Sequence, residues 1–441
     1  MAKITFIGAG STVFARNVIG DCIASPILED SEIALYDIDG QRLKESETII
    51  KAISAGFGNK ATIKSYLGVE NRKEALRGAN FAINAIQVGL YEPCTVTDFK
   101  IPNKYGLRQT IADTLGIGGI MRGLRTIPVM EGIARDMEDV CPDAWLLNYV
   151  NPMSILTGYM LQHTGVKTLG LCHSVQGCSK WLLKGLGMDD KIDGRRELIA
   201  GINHMGWLLE IRDKDGNDLY PEIKKRAAKK NAEGNHHDMV RFDYIAKLGY
   251  YCTESSEHNA EYNQWYIKSK YPELIKRFNI PLDEYPRRCV KQIEGWAKEY
   301  KEMAQILAKK PHARSGEYAA YIMESMLTGT PLKIGGNVMN HGGLIENLPR
   351  EACVEVPCMI DNYGVNPCYI GRLPIQLAAM NMTHVNVHQI TIEAAVTKKK
   401  EHVYHAAMLD PHTAAELSLD DIYAMVDELI EEHGDWLPKY Q

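Results

Sequence analysis

Residues 3–12 read KITFIGAGST, a short β-type run over 3–7 that breaks into glycines before a helix-compatible stretch, 13–24. Gly8 permits a tight turn, and Gly10 lets the backbone approach a pyrophosphate lying at the helix N-terminus. Gly8, Gly10, Ser11 and Thr12 are therefore the candidate phosphate-binding residues. Val13 stands where the third glycine of G-x-G-x-x-G belongs, and a bare G-x-G often only serves a turn. The following run, 33–37, supplies the missing context. It reads IALYD and ends in Asp37, at the distance where this fold places an acid on the adenosine ribose. Asp39 competes for that role, and either acid could instead cap a helix. An acid there favours NAD over NADP, whose extra phosphate wants arginine.

The alternation continues down the chain. Residues 61–65, 81–86 and 144–148 have strand character, 72–77 is helical, and helical patterns separate the later strands. This order predicts an α/β fold with a parallel, doubly wound, Rossmann-type sheet. Ligands gather at the carboxyl ends of such strands. Asn151 and Pro152 follow 144–148 there, and Cys172 and His173 follow the strand-like 167–171. The second of these stretches, GLCHSVQG (170–177), sets a thiol beside an imidazole with no C-x-x-C partner.

Composition narrows the class. The 441 residues suffice for two lobes, and a 45% hydrophobic, 24% charged chain has a globular balance. Fifty basic against fifty-six acidic side chains argue against a nucleic-acid or polybasic membrane surface. No run is long enough for a membrane span, and MAKITFIGAG lacks the apolar core of a signal peptide. Ten cysteines without paired spacing suggest reduced thiols in a cytoplasm.

A second group of residues lies further on. His204 follows a short run in AGINHM (200–205), and TESSEHNAEYNQWY (253–266) is dense in Glu254, Glu257, His258, Glu261 and Tyr262. One Cys and one His make no metal motif by themselves, and a polar helix face accounts for most such dense runs. Beside NAD, a cation on Cys172 and His204 would keep positions open for two sugar hydroxyls. A thiolate–imidazole–oxygen set suits Mn2+, Fe2+, Co2+ or Zn2+. Arg287 and Arg288 could brace a substrate or merely meet solvent. His236 and His237 sit in AAKKNAEGNHHD, which reads as a solvated loop. Ser418-x-x-Asp421 opens an amphipathic helix that should stop near Gly434.

With these stretches in order, the sequence resembles glycoside hydrolase family 4, and most closely its bacterial α-galactosidase branch. The resemblance rests on KITFIGAGST (3–12), YEPCTVTDF (91–99), QTIADTLG (109–116), LNYVNPM (147–153) and GLCHSVQG (170–177). It continues through AGINHM (200–205), TESSEH (253–258), PLDEYP (281–286) and YHAAMLDPHTAAE (404–416). It implies a lactate/malate-dehydrogenase-like fold, a Rossmann lobe (1–195) followed by an α+β catalytic and oligomerisation lobe (196–441). It further implies NAD and Mn2+ as cofactors, Cys172 and His204 as metal ligands, and Asn151 as a substrate contact. By the same resemblance His173 matches the proton donor and Tyr262 the base, with Asp serving as base in another branch. Arg287 is carried as a second substrate contact.

The chemistry implied is oxidation at sugar C3 by NAD, removal of the acidified C2 proton, elimination of the aglycone, water addition and re-reduction. Ordinary glycosidases use two carboxylates instead. The expected substrate is a small α-galactoside such as melibiose, and a homodimer or homotetramer is expected by resemblance. An α-glucosidase or an α-glucuronidase or galacturonidase of the same family remains open. So do a plain NAD-dependent polyol or hydroxy-acid dehydrogenase and a non-catalytic NAD-binding regulator.

Overall fold

A computed structural model describes residues 1–307 and 312–441, with the side chains of Thr12, Ala297, Lys301 and Ala304 outside that description. Its strands are β1 (Lys3–Ile7), β2 (Glu32–Asp37), β3 (Thr62–Leu67), β4 (Phe81–Asn84), β5 (Trp145–Asn148) and β6 (Lys167–Gly170). After them come β7 (Arg196–Ile202), β8 (Met205–Arg212), β9 (Tyr251–Cys252), β10 (Leu332–Met339), β11 (Cys353–Asp361) and β12 (Gly364–Pro367).

The first six strands pair in parallel in the order β3-β2-β1-β4-β5-β6. This is the doubly wound, dinucleotide-binding arrangement expected from the alternation. Central strands must be apolar on both faces because helices cover both. Accordingly all four residues of β4 and the last four of β1 are buried, whereas β3 at the edge buries none fully. The reversal of strand order falls between β1 and β4, where Gly8 turns with φ +86°. A Cβ at Gly8 would lie 2.8 Å from the carbonyl of Ala85, so only glycine fits this crossing.

The same sheet continues into the later chain. β10 pairs antiparallel with β6 through Asn337 and Gly170, and β11, β7, β8 and β9 follow, with β12 beside β11. Late helices pack back onto the first half of the chain. Gly116–Val140 and Met153–His163 receive Ile375–Thr397, while Leu419–His433 lies on Val96–Lys104. The last helix begins as its sequence indicates, with Ser418 Oγ accepting from the Asp421 amide at 3.2 Å. Its Ile422, Met425, Val426 and Leu429 are buried.

One reading of local structure needs correction. Residues 227–233 are the last turns of a helix, Tyr220–Glu233, rather than loop. Alanines and lysines are good helix formers, and Gly234, at φ 73°, ends the run that they sustain.

A buried ion network pins the returning helix. Asp98 accepts from Arg125 at 2.7 and 3.2 Å and meets His433 Nε2 at 2.9 Å. Asp98→Ala leaves the Arg125 charge buried without its carboxylate. It should lower unfolding free energy by about 3–5 kcal/mol in urea denaturation. An unchanged midpoint would show that the network does not carry this junction.

Candidate active site

The turn after β1 forms one wall of a cleft of about 520 Å3. Gly10, Ser11, Phe14 and Arg42 line it from one side, Tyr285 and Trp296 from another, and His173 and Glu317 at one end. The two competing acids separate in space. Asp39 caps the helix Gly40–Gly56, accepting from Gln41 and Arg42 amides at 3.0 and 3.1 Å. Asp37 instead directs Oδ2 to the Gly10 amide at 2.5 Å, at the cleft wall. Ser11 Oγ is buried there without a hydrogen-bond partner. Thr12 opens the helix Thr12–Ile23, and its side chain lies outside the described part of the structure. An orphaned hydroxyl, a helix N-terminus and a Cβ-free turn together fit a dinucleotide pyrophosphate. The helix Glu284–Leu307 crosses this cleft, tied down where Trp296 Nε1 donates to Glu45 at 2.6 Å.

The second group of residues meets at the carboxyl end of the parallel strands. Cys172 precedes the helix His173–Gly185, and His204 occupies the β7–β8 turn with φ +65°. Donor atoms of Cys172, His204 and Glu254 lie within 4.8 Å of one another. Asp113, His204 and His258 form an overlapping set within the same limit. His204 Nε2 lies 3.3 Å from Glu254, and its Nδ1 lies 2.9 Å from the Tyr262 hydroxyl. Glu254 also faces His258 Nδ1 at 3.4 Å, and Asp113 faces His258 Nε2 at 3.8 Å. A thiol, an imidazole and a carboxylate converging in a buried place fit a divalent transition cation.

For His204 and Glu254, charge interactions outweigh burial. Burial alone would lower the His204 imidazole, but Glu254 and then Cys172 raise it to about 10. Burial would raise Glu254, yet His204 and His258 draw it down to about 2. Both shifts favour an ion pair between His204 and Glu254. Burial, then Asp113, Glu261 and Glu254, pushes the Tyr262 phenol well above its ordinary value. For His258 burial prevails and lowers the imidazole.

A single carboxylate holds the loop that carries Asp113. Glu261 accepts from the consecutive amides of Thr110, Ile111 and Ala112, the closest at 2.6 and 2.8 Å. Burial raises this carboxyl to about 7 against the pull of those donors. The backbone amides of Asp283 and Tyr285 donate to Gln109 and Thr110 carbonyls at 2.9 and 3.0 Å. The QTIAD loop thus joins the end of the cleft-crossing helix to the cation cluster.

The remaining candidates are placed as follows. His173 is half exposed, its Nε2 donating to Glu317 at 2.7 Å, and its ring stands 5.8 Å from Phe14 and 5.7 Å from Tyr149. Asn151 lies half-buried between β5 and the helix Met153–His163. Arg287 is not brought to the cluster. It is exposed, bonds Leu282 and Glu284 at 2.6 and 2.8 Å, and borders a surface depression with Tyr91. Asp113 and Glu254 join the site without standing out in sequence. Asp113 meets partners from distant segments, and the i,i+4 contact of Glu254 with His258 is not the only acid–histidine spacing in TESSEH (253–258).

Residues 3–188 match the family described as "Family 4 glycosyl hydrolase", and residues 199–413 match "Family 4 glycosyl hydrolase C-terminal domain". The chain is 59% identical over 441 residues to an alpha-galactosidase of Bacillus subtilis (strain 168), covering 100% of both. It is 32% identical over 447 residues to an alpha-galactosidase of Rhizobium meliloti (strain 1021), covering 99% of this chain and 89% of that one. A 6-phospho-alpha-glucosidase from gut microorganisms, solved in complex with NAD and Mn2+, superposes with TM-score 0.81. It is 19% identical with 100% of both chains covered, a likeness of fold. The protein belongs to glycoside hydrolase family 4.

Removing one donor tests the cluster. Glu254→Gln should weaken Mn2+ binding by about 10–100-fold, and Cys172→Ser at least as much, in calorimetric titrations. NAD binding should persist in both. Wild-type Mn2+ affinity in either variant contradicts the donor set.

Proposed function

We propose that this chain hydrolyses terminal α-galactosides such as melibiose, using NAD and a divalent cation, Mn2+ by preference. The observation that carries the reading is the Cys172–His204–Glu254 cluster at the carboxyl ends of a dinucleotide-binding sheet. The relative with the higher identity of the two described, at 59%, acts on an α-galactoside by its name. Residues 1–195 serve as the nucleotide-binding lobe and 196–441 complete the sugar site in this reading. Gly8, Gly10, Ser11, Thr12 and Asp37 would hold the nucleotide, and Cys172, His204 and Glu254 the cation. When bound, NAD supplies reversible hydride acceptance at sugar C3, and the cation supplies the Lewis acidity that makes the C2 proton removable.

The chain's own groups handle the protons. Tyr262 is the proposed base, its hydroxyl 2.9 Å from His204 Nδ1, which can donate to a phenolate. Buried among Asp113, Glu261 and Glu254, that phenol keeps its proton until positive charge is added nearby. His173 is the proposed acid for the departing aglycone. Glu317 accepts from its Nε2 and fixes the ring at the cleft end, leaving Nδ1 as the free nitrogen. Asn151 is the proposed contact to a sugar hydroxyl. Tyr285 and Trp296, on the crossing helix, shield the cleft from bulk water.

All ten cysteines are free, which suits a cytoplasmic enzyme whose thiolate ligand needs reducing conditions. A homodimer or homotetramer is part of the same proposal. No helix among the described residues is long and apolar enough to cross a membrane. Nitrophenyl α-galactoside hydrolysis is expected only with NAD, Mn2+ and dithiothreitol together, without net NADH. Hydrolysis independent of NAD refutes the reading, and steady NADH accumulation replaces it with a dehydrogenase.

A further inference from the structure

The β7–β8 hairpin that presents His204 has glycines at the paired positions 201 and 206. Against it sit four side chains that the reaction does not use, Asn203, Asn337, Glu355 and Asn381, each 0% exposed. Glu355 Oε1 accepts from the Asn337 and Asn203 amides at 3.0 and 3.3 Å. Asn381 Nδ2 donates to the Met205 carbonyl at 2.9 Å. Glu355 Oε2 and the Oδ1 atoms of Asn203, Asn337 and Asn381 have no partner.

Every one of these orphans is an acceptor. Reversing an amide does not cure the shortage, because each of the three already spends its nitrogen on an oxygen. Leaving buried acceptors unmet costs roughly 1–3 kcal/mol each. The glycines let these oxygens come close to the hairpin. A Cβ at Gly206 would stand 3.1 Å from Glu355 Oε2, and one at Gly201 would stand 3.0 Å from Asn381 Oδ1. A water has only two protons to give, whereas a cation meets several oxygens at once.

The donor chemistry selects the kind of ion. These are hard oxygens, with no sulfur or imidazole among them, unlike the Cys172 cluster. One carboxylate balances one charge, and a divalent ion would leave net charge buried. With no ion to balance it, burial lifts the Glu355 carboxyl to about 7.

We propose that these buried oxygens hold a monovalent alkali cation, Na+ or K+, separate from the divalent cation, and that the ion braces the His204 turn. The NAD- and Mn2+-loaded protein is exchanged into tetramethylammonium acetate and titrated with sodium or potassium acetate at constant ionic strength. A saturable rise in Tm of about 2–4 °C is expected with one ion, and Glu355→Gln should abolish it. Crystals of the unaltered protein soaked in thallium(I) acetate should show an anomalous peak at Glu355, which needs no variant to fold. A Tm indifferent to the alkali ion, a response retained in Glu355→Gln, or a thallium map empty there overturns the proposal. The oxygens would then be met by water beside a protonated Glu355.

Discussion

The pairing of Asn337 on β10 with Gly170 on β6 is where a parallel sheet becomes an antiparallel one. Two residues beyond Gly170 stands Cys172, and further across the same sheet the β7–β8 turn projects His204. Because hydrogen-bonded strands sit about 4.8 Å apart, continuity of the sheet fixes how far apart these segments can be. Cys172 and His204 belong to one continuous sheet but stand three strand spacings apart, so the residues that follow β6 and the β7–β8 turn bring the thiol and the imidazole together. A break at that junction would leave a dinucleotide cleft without the cation donors, and the cation donors without a redox partner.

Burial then decides the electrostatics. The pocket collects buried Glu261, His204 and His258 with the partly buried Asp113 and Glu254, and each charge is matched nearby. Glu254 and His204 neutralise one another, and three successive amides meet Glu261. Tyr262 has one imidazole partner, His204, and burial holds its phenol well above the ordinary value. In the proposed reading, a cation on this set would replace the proton of His204 and ease ionisation of Tyr262 in one event, coupling metal binding to the availability of a base.

Much of this was legible in sequence wherever the signal is local. The β1 turn, the strand ending in Asp37 and the placement of Cys172 and His173 after a strand all follow from apolar runs punctuated by glycine. The choice of Asp37 over Asp39 was not legible, since both lie within two residues and only the third dimension sets one on Gly10 and the other on a helix end. Asp113 was not legible because its partners lie far along the chain, and Glu254 was not separable from the acids around it although His258 follows four residues later. The helix through Glu233 was masked by the glycine and two histidines that follow it, and the charge of Arg287 could not by itself tell a substrate contact from the surface pairing it makes with Glu284.

Cobalt substitution tests the central claim directly, because a thiolate on Co2+ gives an intense near-ultraviolet charge-transfer band that oxygen and nitrogen donors alone do not. The protein stripped with chelator and reloaded with one Co2+ in the presence of NAD should show that band, and Cys172→Ser should lack it. A cobalt-loaded protein whose spectrum carries no thiolate band, or carries it unchanged in the variant, would mean that Cys172 does not hold the cation.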